Sequence, residues 1–325
     1  GKPQTTLQPM SILYLIGGLI LIMVSANAMV NGASSIAKHF NIPDLVIGLT
    51  IVAIGTSTPE LAISVISALK GNTAIAVGNV LGSNIANILL IVALSAIVFP
   101  LTVKKNTQYK EIPLGILAVL TVAICGNDIL LDNGTANLIS RTDGLILLCF
   151  FLIFLYYTFQ IATGDDIESD KSKLKPIWIS AIYVTAGIAG LYFGGNFFVD
   201  GAKVIARYLG MSDAMIGLTI VAIGTSLPEL ATSLTAAWKK KPDIAVGNII
   251  GSNILNIFLI LGLTATIQPL PLHPAANFDI GVTLLASFLL FFSTFILKKR
   301  IITRAEGIIF FTFYAGYLTF IILKN

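Results

Sequence analysis

Charge is the scarcest ingredient of this sequence. Only 11% of its 325 residues are Asp, Glu, Lys or Arg, against about 25% in soluble domains, which excludes a soluble globular chain. The net charge of +4 needs no nucleic-acid partner, because basic residues beside a membrane set its orientation. Cysteine is nearly absent. Cys125 and Cys149 both fall in apolar runs, where buried free thiols are expected and nothing is said about redox compartment. His39 and His273 share no partner pattern and are expected in solvent-facing loops, which leaves zinc chemistry without ligands. No His or Lys sits inside an apolar run to activate Ser57 or Ser226 as a nucleophile. Enzymatic activity is therefore not expected, nor is a resident cofactor.

What fills the chain instead is apolar: 56% of it is hydrophobic and the mean hydropathy is +0.90. At roughly 20 apolar residues per crossing, this is an integral membrane protein of several spans. Ten segments are expected, at residues 11–36, 45–69, 75–99, 112–127, 144–163, 177–205, 214–238, 244–268, 278–297 and 306–323. The stretch Ile12 to Val24 followed by Ser25-Ala26-Asn27-Ala28 imitates a cleavable secretory signal. Gly187 to Asp200 is an internal counterpart of that region, so it reads as the first span. The long polar connection, Thr163 to Lys175, holds four acids and then three lysines, and reads as a hydrated linker between two halves.

The halves are copies. Ala53-Ile54-Gly55-Thr56-Ser57-Thr58-Pro59-Glu60 returns as Ala222-Ile223-Gly224-Thr225-Ser226-Leu227-Pro228-Glu229, at an offset of 169 residues. The same offset aligns Gly32 with Gly201, Pro100 with Pro269, and Ile75-Ala76-Val77-Gly78-Asn79 with Ile244-Ala245-Val246-Gly247-Asn248. It also aligns Gly82-Ser83-Asn84-Ile85 with Gly251-Ser252-Asn253-Ile254, and Asn87 with Asn256. Arg141, Asp143 and Gly144 match Arg304, Glu306 and Gly307 at the shorter offset of 163. Five spans per half is an odd number, so the second half enters the membrane from the opposite side as an inverted repeat. The expected fold is all-α, with ten transmembrane helices in two inverted five-helix repeats and helices 2 and 7 broken at their motifs. The expected division is 1–163, a cytoplasmic linker at 164–176, and 177–325. Connections after the odd-numbered spans carry 14 of the 20 Lys and Arg residues. By the positive-inside rule that face is cytoplasmic and both termini are extracytoplasmic.

Of sixteen acids, only Glu60 and Glu229 fall in the middle of an expected span, where an isolated carboxylate costs at least about 3 kcal/mol. Two of them at equivalent positions of an inverted repeat would meet near the bilayer midplane. A calcium ion between them cancels their charge, and calcium takes about six to eight hard oxygens. Gly55 with Pro59, and Gly224 with Pro228, are expected to break their helices and free the carbonyls of Ala53, Ile54, Gly55 and Thr56 and of their counterparts. Hydroxyls of Thr56, Ser57, Thr225 and Ser226, and the side chains of Ser83, Asn87, Ser252 and Asn256, add neutral oxygens. Asn84 and Asn253 either cross-link helices or touch the ion. Asn31 and Asp200, a mismatched pair near the ends of spans 1 and 6, read as interfacial or structural.

The duplicated Ala-Ile-Gly-Thr-Ser-x-Pro-Glu, each copy followed by Gly-Asn-x-x-Gly-Ser-Asn-Ile-x-Asn, resembles the alpha-repeats of the cation/calcium exchanger superfamily. Within it the chain is most similar to prokaryotic sodium/calcium exchangers, over essentially its whole length. The resemblance implies ten helices that exchange calcium for sodium. It implies a calcium site of Glu60, Glu229 and the backbone oxygens of Thr56 and Thr225. It implies sodium sites that share the glutamates and use Ala53, Ser57 and Ser252, mirrored by Ala222, Ser226 and Ser83, with Asn87 and Asn256 at the centre. It further implies that the first and sixth helices slide against the rest, with Gly17, Gly18, Gly187, Gly190, Gly194 and Gly195 smoothing their interface. Some relatives, potassium-dependent exchangers among them, hold Asp where this chain has Asn256. The amide removes a charge and disfavours potassium co-transport.

The expected function is a sodium/calcium antiporter of a prokaryotic cell membrane working by alternating access. A calcium/proton antiporter is the alternative, and a divalent-cation channel a more distant one. The expected partners are Ca2+ and Na+ as substrates and membrane lipid, with no nucleic acid, and a monomer is compatible with the sequence.

Overall fold

A computed structural model describes residues 9–132, 134–164, 176–208, 222–296 and 300–324. The chain is an all-α integral membrane protein. Eight of its described helices are long and apolar enough to span a bilayer, and one bent pair makes a ninth span. In chain order the helices are α1 (Pro9–His39), α2 (Asp44–Thr56), α3 (Thr58–Leu69), α4 (Thr73–Val98), α5 (Thr107–Cys125) and α6 (Arg141–Gly164). The second half holds α7 (Ile177–Tyr208), α8 (Ala222–Thr225), α9 (Leu227–Trp238), α10 (Pro242–Ile267), α11 (Pro274–Ile296) and α12 (Arg304–Lys324). The span expected at 214–238 lies partly outside the described residues, as do the acids and lysines of the connection after α6.

The breaks come where the sequence puts them. Between α2 and α3 the axis turns by 45° at Ser57, whose φ of −84° and ψ of 7° leave the helical region. Pro59 and Pro228 stand in the first turns of α3 and α9, where a missing N–H is tolerated. Their cost falls on the preceding turn: the carbonyls of Gly55 and Gly224 lose the donor that a continuous helix would supply.

Two short antiparallel ribbons tie the halves together. Leu101–Thr102 pairs with Ile301–Ile302, and Leu138–Ile139 pairs with Leu270–Pro271. The ribbons are images of each other under the two sequence offsets, 169 between the strands after α4 and α10 and 163 between those before α6 and α12. The 163 offset also marks a shared capping box. Asp143 Oδ2 accepts from Ser140 N and Oγ at 2.8 and 2.6 Å, and Glu306 Oε2 accepts from Thr303 N and Oγ1 at 2.7 and 2.9 Å.

Helices α1 and α7 cross antiparallel. Gly18 packs on Gly194 and Phe198, Gly187 on Met29, Gly32 on Ser180, and Gly201 on Ser11 and Leu15. The C-terminal end of α1 therefore lies beside the start of α7, where Ser180 Oγ donates to Ser35 Oγ at 2.8 Å. The start of α1 lies beside the end of α7. The first half thus enters on one face and reaches α7 on the other, as an odd number of crossings requires. These are called below the terminal face and the linker face. Helices α4 and α10 are the centre of the molecule, with 83% and 94% of their most apolar stretch buried, while only 28% of that stretch is buried in α1 and in α7.

Three expectations need correction. Helix α5 begins at Thr107, not at residue 112, and so takes Glu111 into the protein, fully buried. Glu111 Oε1 accepts from the Tyr157 hydroxyl, so a further acid is buried inside a helix, near its start and not in mid-span. Tyr157 on α6, far away in sequence, satisfies one of its oxygens, and Oε2 is left without a partner. Cys149 is exposed on α6 and Cys125 is half-buried, because α6 turns most of its surface outward. His39 is the last residue of α1 and not a loop residue, though it is exposed as expected.

Candidate cation site

The two breaks bring the motifs face to face across the repeat. Glu60, in the first turn of α3, and Glu229, in the first turn of α9, are both 0% exposed. Each has one oxygen held by a serine of the opposite half. Ser57 Oγ donates to Glu229 Oε1 at 2.9 Å, and Ser226 Oγ donates to Glu60 Oε1 at 3.5 Å. Each serine touches a second serine on a central helix: Ser57 Oγ lies 3.0 Å from Ser252 Oγ, and Ser226 Oγ lies 3.2 Å from Ser83 Oγ.

The asparagines complete the network with a consistent polarity. Asn256 Nδ2 donates to Ser83 Oγ at 3.1 Å and to Asn84 Oδ1 at 2.9 Å. Asn87 Nδ2 donates to Asn253 Oδ1 at 3.0 Å, and Asn84 Nδ2 donates to the Asn253 carbonyl at 3.3 Å. Asn84 and Asn253 are thus cross-links between α4 and α10. They occupy the donors of Asn87 and Asn256 and leave the Oδ1 atoms of those two residues free. Each of the latter also begins a π-helical stretch, Asn87–Val92 and Asn256–Leu261, a wide turn typical of functional sites.

Four buried oxygens in this network have no hydrogen-bond partner: Glu60 Oε2, Glu229 Oε2, Asn87 Oδ1 and Asn256 Oδ1. An unpaired buried acceptor costs about 1–3 kcal/mol, and all four are acceptors with no donor to meet them. They are related in pairs by the repeat. Hard oxygens of this kind, two of them on carboxylates, suit a calcium or sodium ion. Among the described residues no cluster of three or more His, Cys, Asp or Glu side chains occurs, so the only formal charges here come from the glutamate pair.

Other expected site residues are placed less centrally. The Thr56 hydroxyl lies 3.1 Å from Asn248 Oδ1 and 3.3 Å from the Ala53 carbonyl, so its hydrogen is engaged by those acceptors while its oxygen keeps its lone pairs. The Ala53 carbonyl also accepts from Ser57 N at 3.0 Å, so the break does not free it from helical bonding. Ala222 opens α8, and Thr225 is half-buried.

Asn79 and Asn248, matched in the repeat but given no role from sequence, support the glutamates from behind. Asn79 Nδ2 donates to the Glu60 carbonyl at 3.2 Å and to Ser64 Oγ at 3.0 Å. Asn248 Nδ2 does the same to the Glu229 carbonyl at 3.4 Å and Ser233 Oγ at 2.9 Å. Their duplication was the available signal. Asn248→Ala is expected to weaken calcium binding about tenfold without abolishing it, in line with other residues that only orient a ligand. Isothermal titration of calcium into the purified variant checks this.

The two approaches to the network differ. On the terminal face a cavity of about 230 Å³ reaches Gly224, Thr225 and Pro228, between Pro59 and Ile63 of α3 and Leu191, Tyr192 and Val199 of α7. At the equivalent positions on the linker face, Ile22, Ala26, Val30 and Ser34 of α1 are at most 4% exposed and Thr56 is 1% exposed, Asn27 being exposed beyond them. The terminal-face cavity thus reaches as far as Thr225, with Glu60 and Glu229 themselves still covered, while the linker-face approach is filled by α1.

Comparison with known proteins agrees with this architecture. Residues 10–160 and 179–323 match the family model described as sodium/calcium exchanger protein. The chain is 40% identical to a putative antiporter, CaxA, of Alkalimonas amylolytica, over 94% of this chain and 96% of that one. It is 33% identical to the sodium/calcium exchanger MaX1 of Methanosarcina acetivorans, over 94% and 97%. Among solved structures, the sodium-calcium exchanger NCX_Mj superposes with a TM-score of 0.83 at 36% identity, covering 95% of this chain and 98% of that one.

Proposed function

This chain belongs to the sodium/calcium exchanger family, and from that premise we propose that it is a sodium/calcium antiporter. Calcium and sodium compete for one central site and cross by alternating access. The observation that carries this reading is the set of four buried, unpartnered oxygens on Glu60, Glu229, Asn87 and Asn256. Two carboxylates neutralise one calcium ion or two sodium ions. Ser57, Ser83, Ser226 and Ser252, together with backbone oxygens of Ala53, Thr56, Ala222 and Thr225, supply the neutral remainder. Both halves, 1–163 and 177–325, contribute equally, so a monomer suffices. No covalent chemistry and no resident cofactor are required.

Basic residues favour the linker face as cytoplasmic and both termini as extracytoplasmic. The open cavity then faces outward. The structures of NCX_Mj concern extracellular ion exchange and induced binding-site occlusion, which supports reading the same geometry here as an outward-facing stage of the cycle.

The test is calcium flux in proteoliposomes under three conditions: an imposed sodium gradient, an imposed pH gradient, and neither. Uptake driven by sodium alone is expected. Uptake driven by the pH gradient without sodium would replace the counter-ion with a proton, and rapid passive flux with no counter-ion would indicate a channel.

A further inference from the structure

The closed linker face is held by specific bonds. Lys239, at the end of α9, donates to Asn31 Oδ1 at 2.6 Å and to the Asn27 carbonyl at 3.3 Å, both on α1. Lys241 donates to Ser34 Oγ on the same helix. These bonds strap α1 across the shut approach to the site.

The repeat offset of 169 carries each partner to the terminal face. Lys239 maps to Lys70, Asn31 to Asp200, Asn27 to Asn196, Lys241 to Asn72 and Ser34 to Lys203. Every bond keeps a donor and an acceptor after the exchange. In the mapped arrangement Lys70 would meet Asp200 and the Asn196 carbonyl, while the second bond would reverse direction, with Lys203 as donor and Asn72 as acceptor. None of these bonds is made on the open face. Lys70 and Asn72 are exposed, Asp200 is paired with Lys203 at 3.3 Å, and the cavity lined by Asn196 and Lys203 separates α7 from α3.

We propose that Lys70 and Asp200 form the ion pair that straps α7 over the site when the terminal face closes, replacing the Lys239–Asn31 strap that opens at the same time. Asp200 then exchanges Lys203 for Lys70, and Lys203 turns to Asn72. The two straps differ in strength by design of sequence: an ion pair stands on the terminal face where a lysine–amide bond stands on the linker face. This rests on the alternating-access reading, but not on which ion drives exchange.

The test uses the full-length protein in proteoliposomes, with Cys125 and Cys149 replaced by alanine. One variant carries Lys70→Cys with Asp200→Cys, a second Lys239→Cys with Asn31→Cys. Each is oxidised, and disulfides are counted by loss of maleimide-reactive thiols. The 239–31 pair is expected to cross-link readily in the resting protein. The 70–200 pair is expected to cross-link during calcium/calcium exchange, to stop that exchange, and to release it on reduction. Absence of a 70–200 cross-link during active exchange overturns the proposal, as does a cross-link that leaves exchange intact. Calcium/calcium exchange needs no counter-ion, so a proton-coupled protein leaves this test unchanged. A channel would instead show flux without exchange. As a second measurement, Lys70→Gln and Asp200→Asn are each expected to shift the balance of the two states about two- to fivefold toward the open terminal face, as suits an exposed pair, and the swap Lys70→Asp with Asp200→Lys to restore it. Single variants without such a shift, measured by thiol accessibility in the cavity, also overturn it.

Discussion

Glu60→Gln and Glu229→Gln are each expected to reduce calcium exchange at least about 100-fold. Glutamine keeps the shape and one carbonyl oxygen, so Ser226 or Ser57 still finds its acceptor. The charge is what disappears. A calcium ion in the mutant site carries two positive charges against one carboxylate, in a place where both side chains are 0% exposed. Removing one member of a buried charge pair costs about 3–5 kcal/mol, and each 1.4 kcal/mol is about a factor of ten. Radiolabelled calcium uptake into proteoliposomes measures the loss directly. Equal losses in the two variants are expected from the repeat, and near-normal exchange in either one sinks the site. A neutral amide also removes the cost of holding a buried carboxylate whose second oxygen has no partner in the ion-free protein. The folded variants are therefore expected to be no less stable than the native protein without calcium, which separates loss of ion binding from loss of fold.

Gly17→Ala and Gly18→Ala, neighbours in the same apolar run, are expected to behave oppositely. A methyl group at Gly17 meets nothing within 4 Å, whereas at Gly18 it would lie 2.5 Å from the Phe198 nitrogen and 2.8 Å from the Gly194 carbonyl. Those are backbone atoms, so no side chain can turn aside, and α1 and α7 must separate. Overpacking of this kind costs about 1–3 kcal/mol. Gly18→Ala is expected to lower the thermal unfolding midpoint by several degrees and slow exchange, since the helices proposed to slide are held apart. Gly17→Ala is expected to leave both unchanged or to raise the midpoint, because alanine is the better helix former by up to about 1 kcal/mol. Thermal unfolding in detergent and sodium-driven calcium uptake distinguish them.

The same pair shows where the interface expectation divides. Of the six glycines assigned to the sliding interface, Gly18, Gly187, Gly190 and Gly194 meet the partner helix. Gly17 points into open space, and a methyl group at Gly195 would lie 4.0 Å from the Gly224 carbonyl beside the cavity. Glycine content marks a closely packed helix but not which face packs, since that depends on the crossing geometry of the partner.

The sequence by itself determined the membrane class, the repeat, the inversion and the placing of Glu60 and Glu229, because each follows from local signals. Apolar length, an exact offset, an odd number of spans and a carboxylate amid apolar residues can all be read without knowing what lies opposite. The tertiary structure alone decided which oxygens remain free. Where the Thr56 hydroxyl sends its hydrogen depends on Asn248, 192 residues away, and whether Asn84 cross-links depends on Asn253 and Asn256 across the repeat. Glu111 likewise became an interior residue through Tyr157 on another helix. Only the structure, too, broke the symmetry that the sequence nearly preserves, opening Thr225 to a cavity while burying Thr56. An inverted repeat encodes two equivalent ways of packing its outer helices. Which one is adopted is a property of the packed molecule, because it depends on where α1 and α7 rest against the other helices and not on any local preference of their residues.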